Sequence, residues 1–164
     1  MTGGHGAGKT ATALRIASQY PKKLYIATAE PIDSEMRAKI AAHKLERDES
    51  YTTVETPINL ASSISESTYP ITIVDCITVW LGNLMHYDVD FKRASADLYE
   101  SLKGDKDIII VTNEAGLSLI AADAASRLYM KRLAELNKEI AAIADNVCLM
   151  VSGIEVWIKG EGLI

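Results

Sequence analysis

The chain has 164 residues, 48% of them hydrophobic and 24% charged, which is typical of a folded globular domain and excludes a disordered chain. A net charge of −5 argues against a general nucleic-acid binder, and no apolar run approaches the ~20 residues of a membrane span. Two cysteines in apolar runs do not suggest a disulfide framework or a zinc site. We therefore expect one cytoplasmic domain over residues 1–164, without nucleic-acid or membrane partners.

Short apolar runs alternate with helical patterns along the chain. Continuous apolar runs are typical of strands covered on both faces, and they occur at residues 24–28, 71–75, 108–112 and 147–151. Helices are predicted over 10–18, from Asp33 or Ser34 to about Arg47, over 77–87 and within 123–145. The charged stretch 45–50 predicts an exposed loop, and the alternating tail 154–159 predicts an edge strand after a Ser152-Gly153 turn.

A glycine-rich segment near the N-terminus fits the phosphate-loop pattern G-x-x-x-x-G-K-[ST]; its residues are Gly3, Gly4, His5, Gly6, Ala7, Gly8, Lys9 and Thr10. The glycines let several backbone N–H groups converge on one phosphate, and the following helix adds its positive N-terminal end. Lys9 is predicted to neutralise phosphate oxygens, and Thr10 to hold Mg²⁺ through its hydroxyl. Only Met1-Thr2 precede the loop, so its strand is short or starts earlier than the sequence given.

Together these elements predict the fold class. Strand–helix alternation behind a phosphate loop indicates an α/β phosphate-loop NTPase domain with a mostly parallel sheet and helices on both faces, an arrangement that resembles the RecA-like fold. Asp75 closes the apolar run 71–74, where an acidic residue beside the phosphate loop would engage the Mg²⁺ shell. Capping of the helix that follows is an alternative role for Asp75, and the two roles are compatible.

The second predicted helix carries a histidine on a single stripe. Met36, Ile40, His43 and Arg47 are spaced four, three and four residues apart, so they share one face that must turn towards the protein body. Neutral imidazole is a good nucleophile towards phosphorus, and Arg47 could hold a phosphate by bidentate contact. Spacing alone favours the simpler interpretation, a histidine at the edge of a core stripe. His5 and His86 are interpreted as outward-facing residues.

Further segments follow in an order that is specific in combination. They are Tyr25-Ile26-Ala27-Thr28-Ala29, Lys39-Ile40-Ala41-Ala42-His43-Lys44, Asp75-Cys76-Ile77-Thr78, Thr112-Asn113-Glu114 and Val151-Ser152-Gly153-Ile154. With the phosphate loop they resemble the bifunctional adenosylcobinamide kinase/adenosylcobinamide-phosphate guanylyltransferase family of coenzyme B12 assembly. The resemblance covers nearly the whole chain.

The resemblance implies two reactions. The family phosphorylates adenosylcobinamide with a nucleoside triphosphate, then transfers GMP from GTP to the product through a guanylyl-histidine, giving adenosyl-GDP-cobinamide. It implies GTP and ATP as substrates, Mg²⁺ as cofactor, a corrinoid partner and a homo-oligomer, in the family a trimer. The histidine in the matching position is His43, with Lys9 and Asp75 as the other catalytic residues.

The resemblance also implies nucleotide contacts beyond the loop, at Thr28, Ala29, Glu30, His43, Lys44, Leu45, Glu46, Arg47, Glu55 and Asp75. Either acid, Glu55 or Asp75, could instead read guanine, because a carboxylate accepts hydrogen bonds from N1–H and the exocyclic amine.

The chain departs from the family pattern in the loop, where His5-Gly6-Ala7 replaces an Arg-Ser pair, and at Ala121, Met130-Lys131, Ala134 and Lys138. Two alternatives therefore stay open: a phosphate-loop small-molecule kinase without a covalent intermediate, and a GTP-binding regulatory module that has lost catalysis. An exposed edge strand at Trp157 is expected to suit subunit contact.

Overall fold

The computed structural model describes residues 1–116 and 121–161. Within these ranges seven strands and six helices follow one another: β1 Thr2–Gly3, α1 Lys9–Ala17, β2 Lys23–Ala27, α2 Ser34–Leu45, β3 Tyr51–Glu55, α3 Leu60–Ser65, β4 Ile71–Asp75, α4 Ile77–His86, α5 Phe91–Ser101, β5 Asp107–Val111, α6 Ala124–Ile143, β6 Val147–Val151 and β7 Ile154–Lys159. No helix in the described ranges is long and apolar enough to cross a bilayer.

The strands form one extended sheet that consists of two groups of hydrogen-bonded strands. Four parallel strands have the order β3-β2-β4-β5, and three strands have the order β1-β6-β7, in which β1 is parallel and β7 antiparallel to β6. Backbone hydrogen bonds join the segment after β5 to Met1 and β1: Thr112 N–H donates to Met1 O at 3.0 Å and Glu114 N–H to Gly3 O at 3.0 Å. The short strand β1 therefore lies between β5 and β6, and the predicted RecA-like α/β fold is confirmed.

Helices cover both faces of this sheet, because successive side chains of a strand point to opposite sides. On one face Leu24, Ile26 and Val74 pack in a core with α3, α4, α5 and α6. On the other face Tyr25 and Ile73 pack against α1. The continuous apolar runs are thus explained by burial on both sides.

Each predicted strand and helix is present within a few residues of its expected bounds. Three elements were not predicted: β3, α3 and α5. Strand β3 is the edge strand of the four-stranded group. Its side chains are mostly exposed, so its sequence carries no apolar run. The stretch after Leu45 is an exposed turn, as predicted, although Leu45 itself still belongs to α2.

The tail is the predicted antiparallel edge strand. The turn before it uses two residues with positive φ, Ser152 and Gly153, as a two-residue hairpin requires. Trp157 itself lies on the inward face of this edge strand, where its side chain is half-buried and packs against the core. The exposed apolar side chains of β7 are those of Ile154, Val156 and Ile158, which lie on the opposite face.

The junction of β1 with the phosphate loop generates a prediction about two adjacent glycines. Gly3 has φ 142°, and a Cβ there would overlap the carbonyl oxygen of Met150, whereas a Cβ at Gly4 would meet nothing within 4 Å. We expect Gly3→Ala to lower the free energy of unfolding by about 2–4 kcal/mol. The matched variant Gly4→Ala should change it by less than about 0.5 kcal/mol. Urea unfolding measures both, and equal effects would contradict the close approach of β1 to β6.

Candidate functional site

The phosphate loop connects β1 to α1 at the carboxyl edge of the sheet. Gly6 and Gly8 have positive φ, and Gly8 is the N-cap residue of α1. Nζ of Lys9 donates to the carbonyl oxygens of Gly3 at 3.1 Å and Gly4 at 2.6 Å, so the ammonium is folded against the loop. Burial lowers the pKa of Lys9, and Asp75 and Cys76 act in the opposite direction. The loop thus presents a cation and a helix N-terminus to the same space.

Asp75 ends β4 beside this loop. Oγ1 of Thr10 donates to Oδ2 of Asp75 at 3.0 Å, so the two residues predicted to hold Mg²⁺ are in contact. Mg²⁺ is commonly bound by one or two protein oxygens together with substrate phosphates. No group of three or more His, Cys, Asp or Glu side chains in the described ranges could hold a metal ion. The Thr10–Asp75 pair therefore fits a Mg²⁺ that also binds nucleotide phosphates.

Helix α2 brings His43 to the same carboxylate. Its N-cap Asp33 accepts a hydrogen bond from the N–H of Met36 at 2.7 Å. The predicted stripe is confirmed, because Met36, Ile40, His43 and Arg47 are half-buried while the residues between them are exposed. Nδ1 of His43 lies 3.6 Å from Oδ2 of Asp75. With Nδ1 turned to Asp75, Nε2 is the ring nitrogen available for reaction.

The two titrating groups shift each other's pKa values. The contact with Asp75 raises the pKa of His43, although burial acts in the opposite direction. Burial would raise the pKa of Asp75, but its contacts with His43, Tyr25 and Thr10 outweigh burial and hold it below the usual range. Asp75 is therefore ionised at neutral pH and favours a positive charge on the imidazole.

Sequence reasoning missed Tyr25. Its hydroxyl donates to Oδ2 of Asp75 at 2.5 Å, and the guanidinium of Arg47 lies 4.0 Å from the centre of its ring. Tyr25 sits in an apolar strand, where a buried tyrosine normally needs a partner for its hydroxyl. The sequence could therefore have predicted that the Tyr25 hydroxyl has a hydrogen-bond partner, but it could not identify Asp75 as that partner.

These groups surround a cavity of about 360 Å³. It brings together most of the predicted site, namely His5, Gly6, Ala7, Gly8, Lys9, Thr10, Ala29, His43, Lys44, Glu46, Arg47 and Asp75. Residues not named from the sequence as site residues also line it, namely Ala11, Tyr25, Ala27, Met36, Lys39, Ile40, Cys76, Val79, Val111 and Asn113.

Other predicted residues lie beside the cavity. Thr28 is buried. Its hydroxyl donates to Cys76 O and accepts from Cys76 N–H, both at 2.9 Å, and these two hydrogen bonds fix the backbone directly after Asp75. Glu30 accepts a hydrogen bond from the hydroxyl of Tyr87. Two residues point outwards: Leu45 is 88% exposed, and Glu55 is exposed and pairs with Lys44 at 2.7 Å.

The family described as cobinamide kinase / cobinamide phosphate guanyltransferase matches residues 1–158. The chain belongs to this family. A relative from Pseudomonas aeruginosa, bifunctional adenosylcobalamin biosynthesis protein CobP, is 34% identical over 171 residues, covering 99% of this chain and 98% of the relative. CobU from Salmonella typhimurium, with the same description, is 31% identical over 177 residues, covering 97% of this chain and 98% of the relative. Family membership makes this chain a transferase.

Solved structures also resemble the chain. The KaiC-like protein PH0186 from Pyrococcus horikoshii OT3 superposes with a TM-score of 0.45 at 18% sequence identity, covering 90% of this chain and 68% of that one.

The His43–Asp75 contact predicts a titration. In the nucleotide-free protein the pKa of His43 should lie above its ordinary value of 6.5, and Asp75→Asn should lower it, because burial then acts without the carboxylate. The matched variant Tyr25→Phe keeps the carboxylate and should leave the pKa raised. Titration of the imidazole resonances in nuclear magnetic resonance spectra, assigned with His43→Ala, measures the pKa of His43.

The same contact should stabilise the fold below pH 6.5, and this stabilisation should be lost as the pH rises through the pKa of His43 in the folded state. A His43 pKa unchanged by Asp75→Asn would contradict the contact.

Proposed function

We propose that the protein acts in cobalamin biosynthesis, phosphorylating adenosylcobinamide and transferring GMP from GTP to the phosphorylated product through a guanylyl-histidine on His43. The observation that carries the proposal is the placement of His43 and Thr10 on one carboxylate, that of Asp75, in the cavity that the phosphate loop lines. The family membership of the chain supports kinase and guanylyltransferase activities. We also propose that residues 1–164 act as one nucleotide-binding unit; a cytoplasmic location stays a prediction.

In the kinase step the phosphate loop binds the triphosphate. Backbone N–H groups of the loop and the N-terminus of α1 face the phosphates, and the ammonium of Lys9 exchanges the carbonyl oxygens of Gly3 and Gly4 for phosphate oxygens. Thr10 and Asp75 would hold Mg²⁺. Bound there, Mg²⁺ would neutralise negative charge on the phosphate oxygens as the phosphoryl group leaves.

In the guanylyl step Nε2 of His43 attacks the α-phosphorus of GTP. A P–N bond forms as the bond to the pyrophosphate oxygen breaks, and pyrophosphate leaves with that electron pair. The Asp75 carboxylate stabilises the positive charge that develops on the imidazole. A phosphate oxygen of the corrinoid then attacks the same phosphorus, the P–N bond breaks, and the imidazole is restored. One difficult displacement becomes two easier ones.

Cations near His43 support this chemistry. Lys39, Lys44 and Arg47 line the cavity, and Arg47 is held against the ring of Tyr25. We propose that they bind the triphosphate while His43 reacts, in place of the arginine that the family pattern has in the loop. Their cationic groups would favour the departure of pyrophosphate.

The two acids considered for guanine recognition have different environments. Oδ2 of Asp75 is occupied by Thr10 and Tyr25, so we propose that Asp75 serves the metal and His43. Glu55 is exposed and paired with Lys44, which lines the cavity. Glu55 is therefore our candidate for reading guanine, with Ala29 and Glu46 among the remaining predicted nucleotide contacts.

The proposal predicts a covalent intermediate. Incubation with Mg²⁺ and GTP labelled at the α-phosphate should leave label on the denatured chain, because a phosphoramidate survives denaturation. The label should be lost in acid and retained in base. We expect His43→Ala to abolish labelling, while His86→Ala, which alters an exposed histidine that does not line the cavity, should retain it.

Other outcomes separate the alternatives. A chain that binds GTP without becoming labelled would overturn the guanylyl-histidine. A corrinoid phosphorylation assay would then distinguish a small-molecule kinase, which turns over, from a regulatory module that only binds GTP.

We propose further that the protein forms a homo-oligomer, a trimer by family resemblance. Strand β7 is an edge strand with an exposed apolar row, in which Ile154 is 66%, Val156 42% and Ile158 60% exposed. An apolar edge of this kind is a template for pairing with another chain unless it is covered. The row therefore supports contact between subunits at β7.

Light scattering at micromolar concentration tests this proposal. We expect a mass above that of the 17.8 kDa chain, and we expect Ile154→Lys to reduce it, because a charge on the apolar row opposes its burial. Leu128→Lys, at an exposed apolar position on α6, is the matched control and should leave the mass unchanged. A monomeric mass for the unaltered chain would contradict the oligomer.

A further inference from the structure

Tyr25 lies in the wall of the nucleotide cavity, although the reaction proposed above gives it no task. It stands in the middle of β2, a strand that pairs with β3 on one side and with β4 on the other. Its side chain is 2% exposed and belongs to the core between the sheet and α1. Close packing of this kind holds an aromatic ring in one orientation. Tyr25 is therefore a fixed point in the site.

The hydroxyl of Tyr25 makes the shortest of the three contacts described above for Oδ2 of Asp75. It donates to this oxygen at 2.5 Å, whereas Oγ1 of Thr10 lies at 3.0 Å and Nδ1 of His43 at 3.6 Å from it. Thr10 and His43 both have a task in the proposed reaction, so we expect their contacts with Asp75 to change when nucleotide binds and reacts. The hydroxyl of Tyr25 has no such task and can hold the carboxylate throughout.

The ring of Tyr25 holds a cation. The guanidinium carbon of Arg47 lies 4.0 Å from the ring centre, within the range of a cation–π contact. Arg47 follows α2, a helix in which no residue is fully buried, so packing of the helix alone fixes this side chain weakly. In the described ranges no carboxylate pairs with the guanidinium. Its N–H groups therefore stay available for phosphate oxygens.

We propose that Tyr25 is a positioning residue for the guanylyl step, with separate tasks for its hydroxyl and its ring; this inference rests on the proposed transfer of GMP to His43. The hydroxyl holds the Asp75 carboxylate beside the imidazole, so that Nε2 of His43 faces the α-phosphorus. The ring holds the guanidinium of Arg47 where it binds the triphosphate. Loss of the hydroxyl should therefore slow the reaction of bound GTP, and loss of the ring should also weaken GTP binding.

Single-turnover labelling with Mg²⁺ and GTP labelled at the α-phosphate separates the two tasks, because it gives a maximal rate and a half-saturating GTP concentration. Tyr25→Phe removes the hydroxyl but keeps the ring and the negative charge of Asp75. We expect its maximal rate to fall about ten- to a hundred-fold, since reacting groups tolerate little misplacement, and its half-saturating concentration to change less than about threefold. Tyr25→Leu should lower the rate as much and also raise the half-saturating concentration about three- to tenfold.

Tyr51 provides a matched control on the neighbouring strand β3. Its hydroxyl donates to Leu14 O at 3.2 Å, and Nζ of Lys23 lies 4.8 Å from the centre of its ring, so it makes the same two kinds of contact outside the cavity. Tyr51→Phe should leave both parameters unchanged within about twofold. An unchanged rate in Tyr25→Phe would overturn the proposal. Equal losses of rate in Tyr25→Phe and Tyr51→Phe would do so too, because they would reflect packing in general.

Arg47→Lys tests the task of the ring even if Tyr25→Leu does not fold. Lysine keeps the positive charge but lacks the planar group that stacks on an aromatic ring, so the half-saturating concentration should rise as in Tyr25→Leu. The double variant should be no weaker in GTP binding than the weaker single variant, because both changes remove one contact. Additive effects would contradict the action of the ring through Arg47.

The unaltered chain separates failure of this inference from failure of the proposed function. An unaltered chain that binds GTP without becoming labelled would overturn both. If the unaltered chain and Tyr25→Phe are labelled at the same rate, the guanylyl-histidine stands and only the role of Tyr25 is overturned.

Discussion

The carboxylate of Asp75 is the point at which three separate parts of the chain meet. One of its oxygens accepts hydrogen bonds from Thr10 of the phosphate loop and Tyr25 of β2, and lies 3.6 Å from His43 of α2. A buried anion is costly unless it is paired and hydrogen-bonded, and together these partners hold the pKa of Asp75 below its usual range so that it stays ionised there. In the reaction we propose, the same anion would serve a metal ion and a developing imidazolium.

The sheet determines where that carboxylate sits relative to the loop. Strand β1 is only two residues long, yet it is held on one side by β6 and on the other by backbone hydrogen bonds from residues that follow Val111. This arrangement fixes the loop at the carboxyl edge, one strand away from β4. Helix α2 differs, because none of its residues is fully buried and its inward stripe is only half-buried. Elements with little buried apolar surface open most readily, which suits the role we propose for His43, in which it would meet GTP and then a corrinoid phosphate.

Local patterns predicted much of this arrangement. The glycine spacing identified the phosphate loop, the continuous apolar runs identified β2, β4, β5 and β6, and the four-three-four spacing placed His43 on the inward face of α2. Strand β3 was missed because an edge strand with exposed side chains has no apolar signal. The edge position of β7 was predicted from its alternation, but alternation does not say which of the two faces meets the core, so the inward packing of Trp157 was not predicted.

The sequence by itself determined the chemistry available to this protein: a phosphate loop with Lys9 and Thr10, an acid at the end of a buried strand, and a histidine on an amphipathic helix. These features depend on residues that are neighbours along the chain. Only the tertiary structure decided that Tyr25 is the partner of Asp75, that Thr28 hydrogen-bonds to Cys76, and that Glu55 faces solvent. Those contacts join residues tens of positions apart, and their geometry follows from strand order and register, which no local pattern encodes.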